Sequence, residues 1–280
     1  MATEYTEMPI PAAADGTAEY PQRGAVEARN RRLAHAGIAR AEELVLRTYR
    51  LPSREGAFDL LRQTSQRFNV KLHTLADVAA HLPAPPLDAP GWSVGRRPLG
   101  AAPALPALPT NGTRPGSQSA VLRAALRRVL HVTDTHMGNV QLVENGLLRM
   151  EEHSRLNRRF TDYFAFVEDS TTSCARAAEQ GRQVTVKDVA ASDAFDEESR
   201  QTILQAGSRA CHSVPLLGPN GTVVGMISSH HESPLGELAP AQLAQLHDLG
   251  RQVGRWLLWY RGTVVLNALD HLHAAAGHRR

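Results

Sequence analysis

The stretch from Pro83 to Ser117 constrains this chain more than any other, because no regular element can run through it. Pro83, Pro85, Pro86, Pro90, Pro98, Pro103, Pro106, Pro109 and Pro115 interrupt a background of Ala, Gly and Leu. Each proline fixes φ and removes a backbone donor, so the composition favours extended, semi-rigid chain over helix or sheet. The 280 residues therefore fall into two parts, and 42% hydrophobic residues supply each with an ordinary core. The expected division is a disordered tail at 1–22, a helical domain at 23–82, a linker at 83–116, a second domain at 117–261 and a helical extension or tail at 262–280. Trp92, the lone aromatic of the linker, reads as incidental.

In the first domain apolar residues recur at three- and four-residue steps, from Val26 through Leu33, Ile38, Ala41, Leu44 and Val45. Leu51-Pro52-Ser53 ends that phase, and Ser53 can cap a second helix running to Phe68. Thr74 with Asp77 resembles a capping box, which starts a third helix at about Thr74. The first helix exposes more stripe than two short helices can cover, so its N-terminal half is expected to pair with a second copy as a coiled coil, giving a homodimer. Arg54, Arg62, Gln66 and Arg67 face outward from the second helix, with Ser65, Asn69 and Lys71 near its end. Cations neutralise phosphates while Asn, Gln and Ser read bases and sugars, so this face has the chemistry to hold RNA.

The second domain alternates helix and strand. A helical face runs through Val121, Leu122, Ala125, Leu126 and Val129. Residues 137–143 and 147–153 alternate around Glu144-Asn145-Gly146, a hairpin signal. A helical piece over 158–166, another from Cys174 to Gln180, a strand over 183–189 and a helix over 196–206 follow. Residues 211–218 and 222–231 make a second hairpin, and Pro240 opens a long amphipathic helix. This order predicts an antiparallel sheet flanked by helices, giving an α plus α+β fold for the whole chain.

Two families are resembled. Glu55-Gly56-Ala57-Phe58-Asp59-Leu60-Leu61-Arg62, then Ser65, Asn69, Lys71-Leu72 and Ala79, resemble the ANTAR domain, a three-helix RNA-binding antitermination module with a long first helix. Glu42 and Glu43 stand where that family usually carries a basic residue and a glycine. Met137-Gly138-Asn139-Val140-Gln141-Leu142, Ser173-Cys174-Ala175, Val186-Lys187-Asp188-Val189, Ser213-Val214-Pro215-Leu216 and Gly225-Met226-Ile227-Ser228-Ser229-His230 resemble the GAF domain, a ligand-sensing module. The first resemblance implies contact with RNA through Arg62, Ser65, Asn69 and Lys71, to which the outward-facing Arg54, Gln66 and Arg67 add candidates. The second implies a pocket walled by Asn139, Gln141, Cys174, Asp188, Ser213 and Ser229 that could take a small-molecule effector.

Other chemistries find little support. Cys174, Cys211, His212, His230 and His231 match no zinc spacing, so no metal is expected, and the histidines read as hydrogen-bonded surface residues. Phosphate loops, nucleophile elbows and paired acid–base motifs are lacking, which argues against an enzyme and its cofactors. Asp196, Glu197 and Glu198 suit a helix start. No secretory signal or membrane-length apolar run is seen, so a cytoplasmic protein without membrane contact is expected. The resulting expectation is a signal-responsive transcription antitermination regulator that grips tandem RNA stem-loops. Its alternatives are a signalling adaptor acting through protein contacts and a duplex-DNA binder. Across so loose a linker, effective concentration rather than a rigid helix would couple sensor to output.

Overall fold

The computed structural model describes residues 23–97, 99–108, 117–168 and 180–277. The tail expected at 1–22 and nearly all of the helix expected from Cys174 to Gln180 lie outside them. Three helices open the chain: α1 (Arg23–Tyr49), α2 (Arg54–Phe68) and α3 (Leu72–His81). Ser53 caps α2 by accepting from the Gly56 amide. Asn69, at φ 51°, closes it in the left-handed conformation that Asn tolerates. The third helix corrects the expected start. Thr74 and Asp77 lie inside α3 and are buried, because their polar groups reach the second domain. The Thr74 hydroxyl donates to Glu144 Oε1 at 3.2 Å, and Asp77 Oδ1 accepts from the Asn145 amide at 2.9 Å.

The second domain begins with α4 (Gln118–Val132) and the hairpin of β1 (Met137–Glu144) and β2 (Leu147–Ser154). Asn145 and Gly146, at φ 50° and 79°, both take the left-handed conformation that a tight two-residue turn requires. Then come α5 (Arg158–Tyr163), β3 (Phe166–Val167), β4 (Val184–Val186), α6 (Glu197–Gln205), β5 (Ala210–Leu217), β6 (Val223–His231) and α7 (Pro240–Tyr260). The helix expected over 158–166 is shorter, because Phe166 pairs with Arg149 as a strand instead. Asp196 caps α6 by accepting from the Ser199 amide, as its acidic run suggests. The strands form one six-stranded sheet in the order β3-β2-β1-β6-β5-β4, all described pairs antiparallel.

Alternation along the strands sorts the sheet into two faces. Val140, Leu142, Val214, Leu216 and Ile227 meet α4 and α7 in the main core. Gly250 and Gly254 let α7 sit close on β5: a Cβ on Gly254 would lie 2.4 Å from the Leu217 backbone nitrogen and oxygen. The opposite face carries a second core of Met137, Leu156, Phe160, Phe164, Val186, Val189, Phe195, Ile203 and Cys211.

The two domains share packing. Helix α7 passes through a π-helical turn (Arg261–Val265) into α8 (Leu266–Gly277) without a break. Leu266, Ala268, Leu269 and Leu272 join Ala41, Val45, Leu60, Leu61 and Leu75 in the main core, so α8 completes a bundle with the first three helices. A continuous helical path thus joins sheet to bundle, where effective concentration alone was expected.

The linker also differs from the extended chain its prolines suggest. Trp92 is buried and donates from Nε1 to the Tyr49 hydroxyl at 3.1 Å, which in turn lies 3.0 Å from His273 Nδ1. His273 Nε2 reaches the Ala89 carbonyl at 2.8 Å, and Asp270 Oδ1 accepts from the Ser93 amide at 2.9 Å. The described part of the segment holds no helix or strand, and its backbone groups found side chains of α7 and α8 instead.

Candidate functional site

Asn139, Gln141 and Ser213 lie together on the sheet face opposite α4 and α7. Asn139 Oδ1 lies 3.1 Å from His230 Nε2, and His230 Nδ1 lies 3.0 Å from Ser208 Oγ. Ser213 and Ser228 face each other at 2.9 Å. Gln141 Nε2 donates to the Phe164 carbonyl at 3.1 Å, while its Oε1 is buried with no hydrogen-bond partner among the described residues. A buried acceptor left in this way is costly unless something donates to it. Around this row stand Phe160, whose ring meets His230 edge-on with centroids 5.0 Å apart, and Phe164. Residues 169–179 are not described, so the expected wall at Cys174 lies outside the structure.

Two expected walls fall elsewhere. Ser229 points to the face that carries α4 and α7, where its hydroxyl lies 3.3 Å from His231 Nε2. The period of two along β6 separates it from Ser228 and His230. Asp188 is at the surface, paired with Arg209 at 3.1 Å, and that guanidinium with the Ala190 amide holds its carboxyl below the ordinary range. The histidines are not surface residues either: His212, His230 and His231 are all buried. Burial holds the His230 ring down to about 3 and the His212 ring to about 4, with His231 lowered for the same reason.

This face of the sheet connects to α1. The carbonyl of Phe164, held by Gln141, adjoins that of Tyr163, which accepts from Arg29 Nη2 at 2.7 Å. Asn30 Nδ2 donates to the Asp162 carbonyl at 2.7 Å. The N-terminal half of α1 therefore packs on the α5–β3 corner of its own chain through Arg29 and Asn30.

On the helical domain, Arg54, Arg62, Gln66, Arg67 and Asn69 are exposed along α2 and its cap, and Ser65 beside them turns inward to donate to the Val70 carbonyl at 2.6 Å. Arg54 pairs with Glu43 at 2.7 Å and Arg62 with Asp59 at 3.0 Å, whereas Arg67 forms no ion pair among the described residues. Lys71 is the correction. Its ammonium lies 2.6 Å from Glu151 Oε2, and that carboxylate is 1% exposed.

Glu151 belongs to an ionic cluster between α3 and the β1–β2 hairpin that the sequence did not reveal, since its members are some 70 to 80 residues apart. The His73 ring lies between two carboxylates, 2.8 Å from Glu144 Oε2 and 3.4 Å from Glu151 Oε1. Arg149 Nε stands 3.6 Å from Glu151 and 4.0 Å from Glu144. Burial alone would raise the Glu144 carboxyl, but His73, Arg149 and Arg261 outweigh it and hold the group low. His73, Glu144 and Glu151 bring ligand-type atoms within 4.8 Å of one another. Lys71 and Arg149 already supply their counter-charge, so the trio reads as an ion cluster and not as a metal centre.

The family model of the GAF domain matches residues 118–256. This part of the chain is a GAF domain, a sensing module. An ANTAR model does not match the helical region at 23–81. No curated protein matches the chain. Among solved structures, the chain resembles a GAF domain/HD domain protein from Geobacter sulfurreducens (14% identity, 49% of this chain and 89% of that one, TM-score 0.41). It also resembles the GAF domain of an Acinetobacter phosphoenolpyruvate-protein phosphotransferase (12%, 78% and 94%, TM-score 0.40). A third is a type II free methionine-R-sulfoxide reductase from Thermoplasma acidophilum (12%, 50% and 92%, TM-score 0.40). No helix among the described residues is long and apolar enough to cross a membrane.

Proposed function

We propose that the chain is a signal-responsive transcription antitermination regulator, its GAF domain controlling RNA binding by the N-terminal helices. The observation that carries this reading is the helical path from α7 through the π-helical turn into α8, which places the sensor sheet and the exposed face of α2 on one packed unit. The three helices at 23–81 are compatible with the ANTAR-like arrangement their residues resemble. A small-molecule effector donating a hydrogen bond to Gln141 Oε1 would pull on the α5–β3 corner, and Arg29 and Asn30 would pass that shift to α1. RNA contact falls to Arg62, Gln66, Arg67 and Asn69, with Lys71 paired to Glu151 in this structure, in a cytoplasmic homodimer whose two copies engage tandem stem-loops.

Arg62→Ala and Arg67→Ala test this directly. Each should weaken binding to a stem-loop RNA and reduce the slope of log affinity against log salt by about 0.7–0.9 per phosphate contact removed. Unchanged affinity and slope in both would contradict the assignment. The adaptor reading draws on a specific observation as well, since Glu43, Asp59 and Glu151 already pair with Arg54, Arg62 and Lys71.

A further inference from the structure

We propose that the β1–β2 hairpin of the GAF domain is an autoinhibitory clasp, in which Glu151 occupies Lys71 in the position an RNA phosphate would otherwise take. The inference rests on the RNA-binding reading and adds its off state.

Three observations carry it. The first is the register of the hairpin. Val140 pairs with Glu152 and Gln141 with Met150, which leaves Glu151 as the extra residue of a β-bulge. Bulges bend a strand and re-aim a side chain. Here the bulge delivers a carboxylate to the junction between α2 and α3. The second is the partner. Lys71 follows the Asn69 cap by two residues, and its side chain keeps 36% of its surface exposed while Glu151 is 1% exposed. The anion is fixed in place and the cation is at the rim, able to change partners. The third is the character of the joint. From α3 to the hairpin the contacts are polar: Lys71 to Glu151, His73 to both carboxylates, Thr74 to Glu144, and Asp77 to the Asn145 amide. The packing of α3 is made mainly with α1, and with α2, α8 and the π-helical turn. Polar joints between domains are the ones that open.

A pivot is present at the same place. The π-helical turn at Arg261–Val265 is where the C-terminal helix leaves the sheet, and Arg261 there donates to the Val143 carbonyl at 2.8 Å and faces Asp77 at 3.9 Å. Rotation about this turn, with release of the Arg29 and Asn30 contacts to the α5–β3 corner, would part α3 from the hairpin.

The test uses the full chain carrying Glu151→Gln, which keeps the shape and removes the charge. Two quantities are read: hydrogen exchange of the α3 amides and affinity for a tandem stem-loop RNA. The expected result is faster exchange in α3, unchanged exchange in β5 and β6, and RNA affinity raised about tenfold or more, a typical size for such coupling. Thr74→Val, a milder loosening away from the RNA face, should move both quantities in the same direction by less. Unchanged α3 exchange in both variants would overturn the clasp. Looser α3 without a gain in affinity, in a protein whose wild type binds RNA, would overturn the competition between Glu151 and phosphate. Looser α3 with no RNA bound by wild type or variants would overturn the RNA reading itself.

Discussion

His212 and His230 have neutral rings in the fold and would be ordinary titrating rings outside it. Above pH 6.5 both states are neutral, and the stability these rings contribute is fully present. As pH falls below 6.5 the unfolded chain takes up protons that the folded one refuses until about pH 4 at His212 and about pH 3 at His230. Each ring then removes about 1.4 kcal/mol per pH unit, so urea melts at pH 5.5 should give a stability about 2–3 kcal/mol below that at pH 7.5. Below 4.5 Glu144, held low, adds to the loss, while Asp77, raised by burial, opposes it. A His230→Gln chain should lose about half of that pH dependence, whatever its own stability. A flat profile between pH 7.5 and 5.5 would show that these rings are not buried as described. The sequence could place His230 and His231 on opposite faces of β6 by their alternation, but not bury them. Burial came from Phe160 and Ser208 on one side and Ser229 on the other.

Elements whose signals are local were legible. Ser53, Asn145-Gly146, Asp196 and Pro240 mark helix starts and a turn by chemistry acting within a few residues, and each does so in the structure. Elements defined by distant partners were not. Thr74 and Asp77 look like a cap, yet their acceptor and donor are Glu144 and Asn145. Trp92 looks incidental until Tyr49 and His273 are brought beside it. Of the candidate sensor residues, Asn139, Gln141 and Ser213 share a face because strand pairing sets them in register, whereas Ser229 is one residue out of phase. The seating of α7 on β5 is the most demanding contact between elements. Gly254→Ala improves helix propensity but drives a methyl into the Leu217 backbone. It should cost roughly 1–3 kcal/mol in a thermal or urea melt. A neutral or stabilising effect would mean α7 does not lie that close.

Across the whole molecule, the prolines proved a guide to where regular structure stops and a poor guide to how loosely the halves are joined. The C-terminal helix and the α5–β3 corner give the sheet two routes to the helical bundle, one through α7 and α8 and one through Arg29 and Asn30 to α1. Both end near α2, whose exposed arginines are the proposed output. The most direct measurement is binding of the full chain, beside its Glu151→Gln variant, to a tandem stem-loop RNA at two salt concentrations with duplex DNA as competitor. The account predicts binding that resists the duplex, weakens at high salt and is tighter in the variant. Folded protein that binds no RNA in either form would contradict it and leave the GAF domain coupled to a helical bundle that acts through protein contacts.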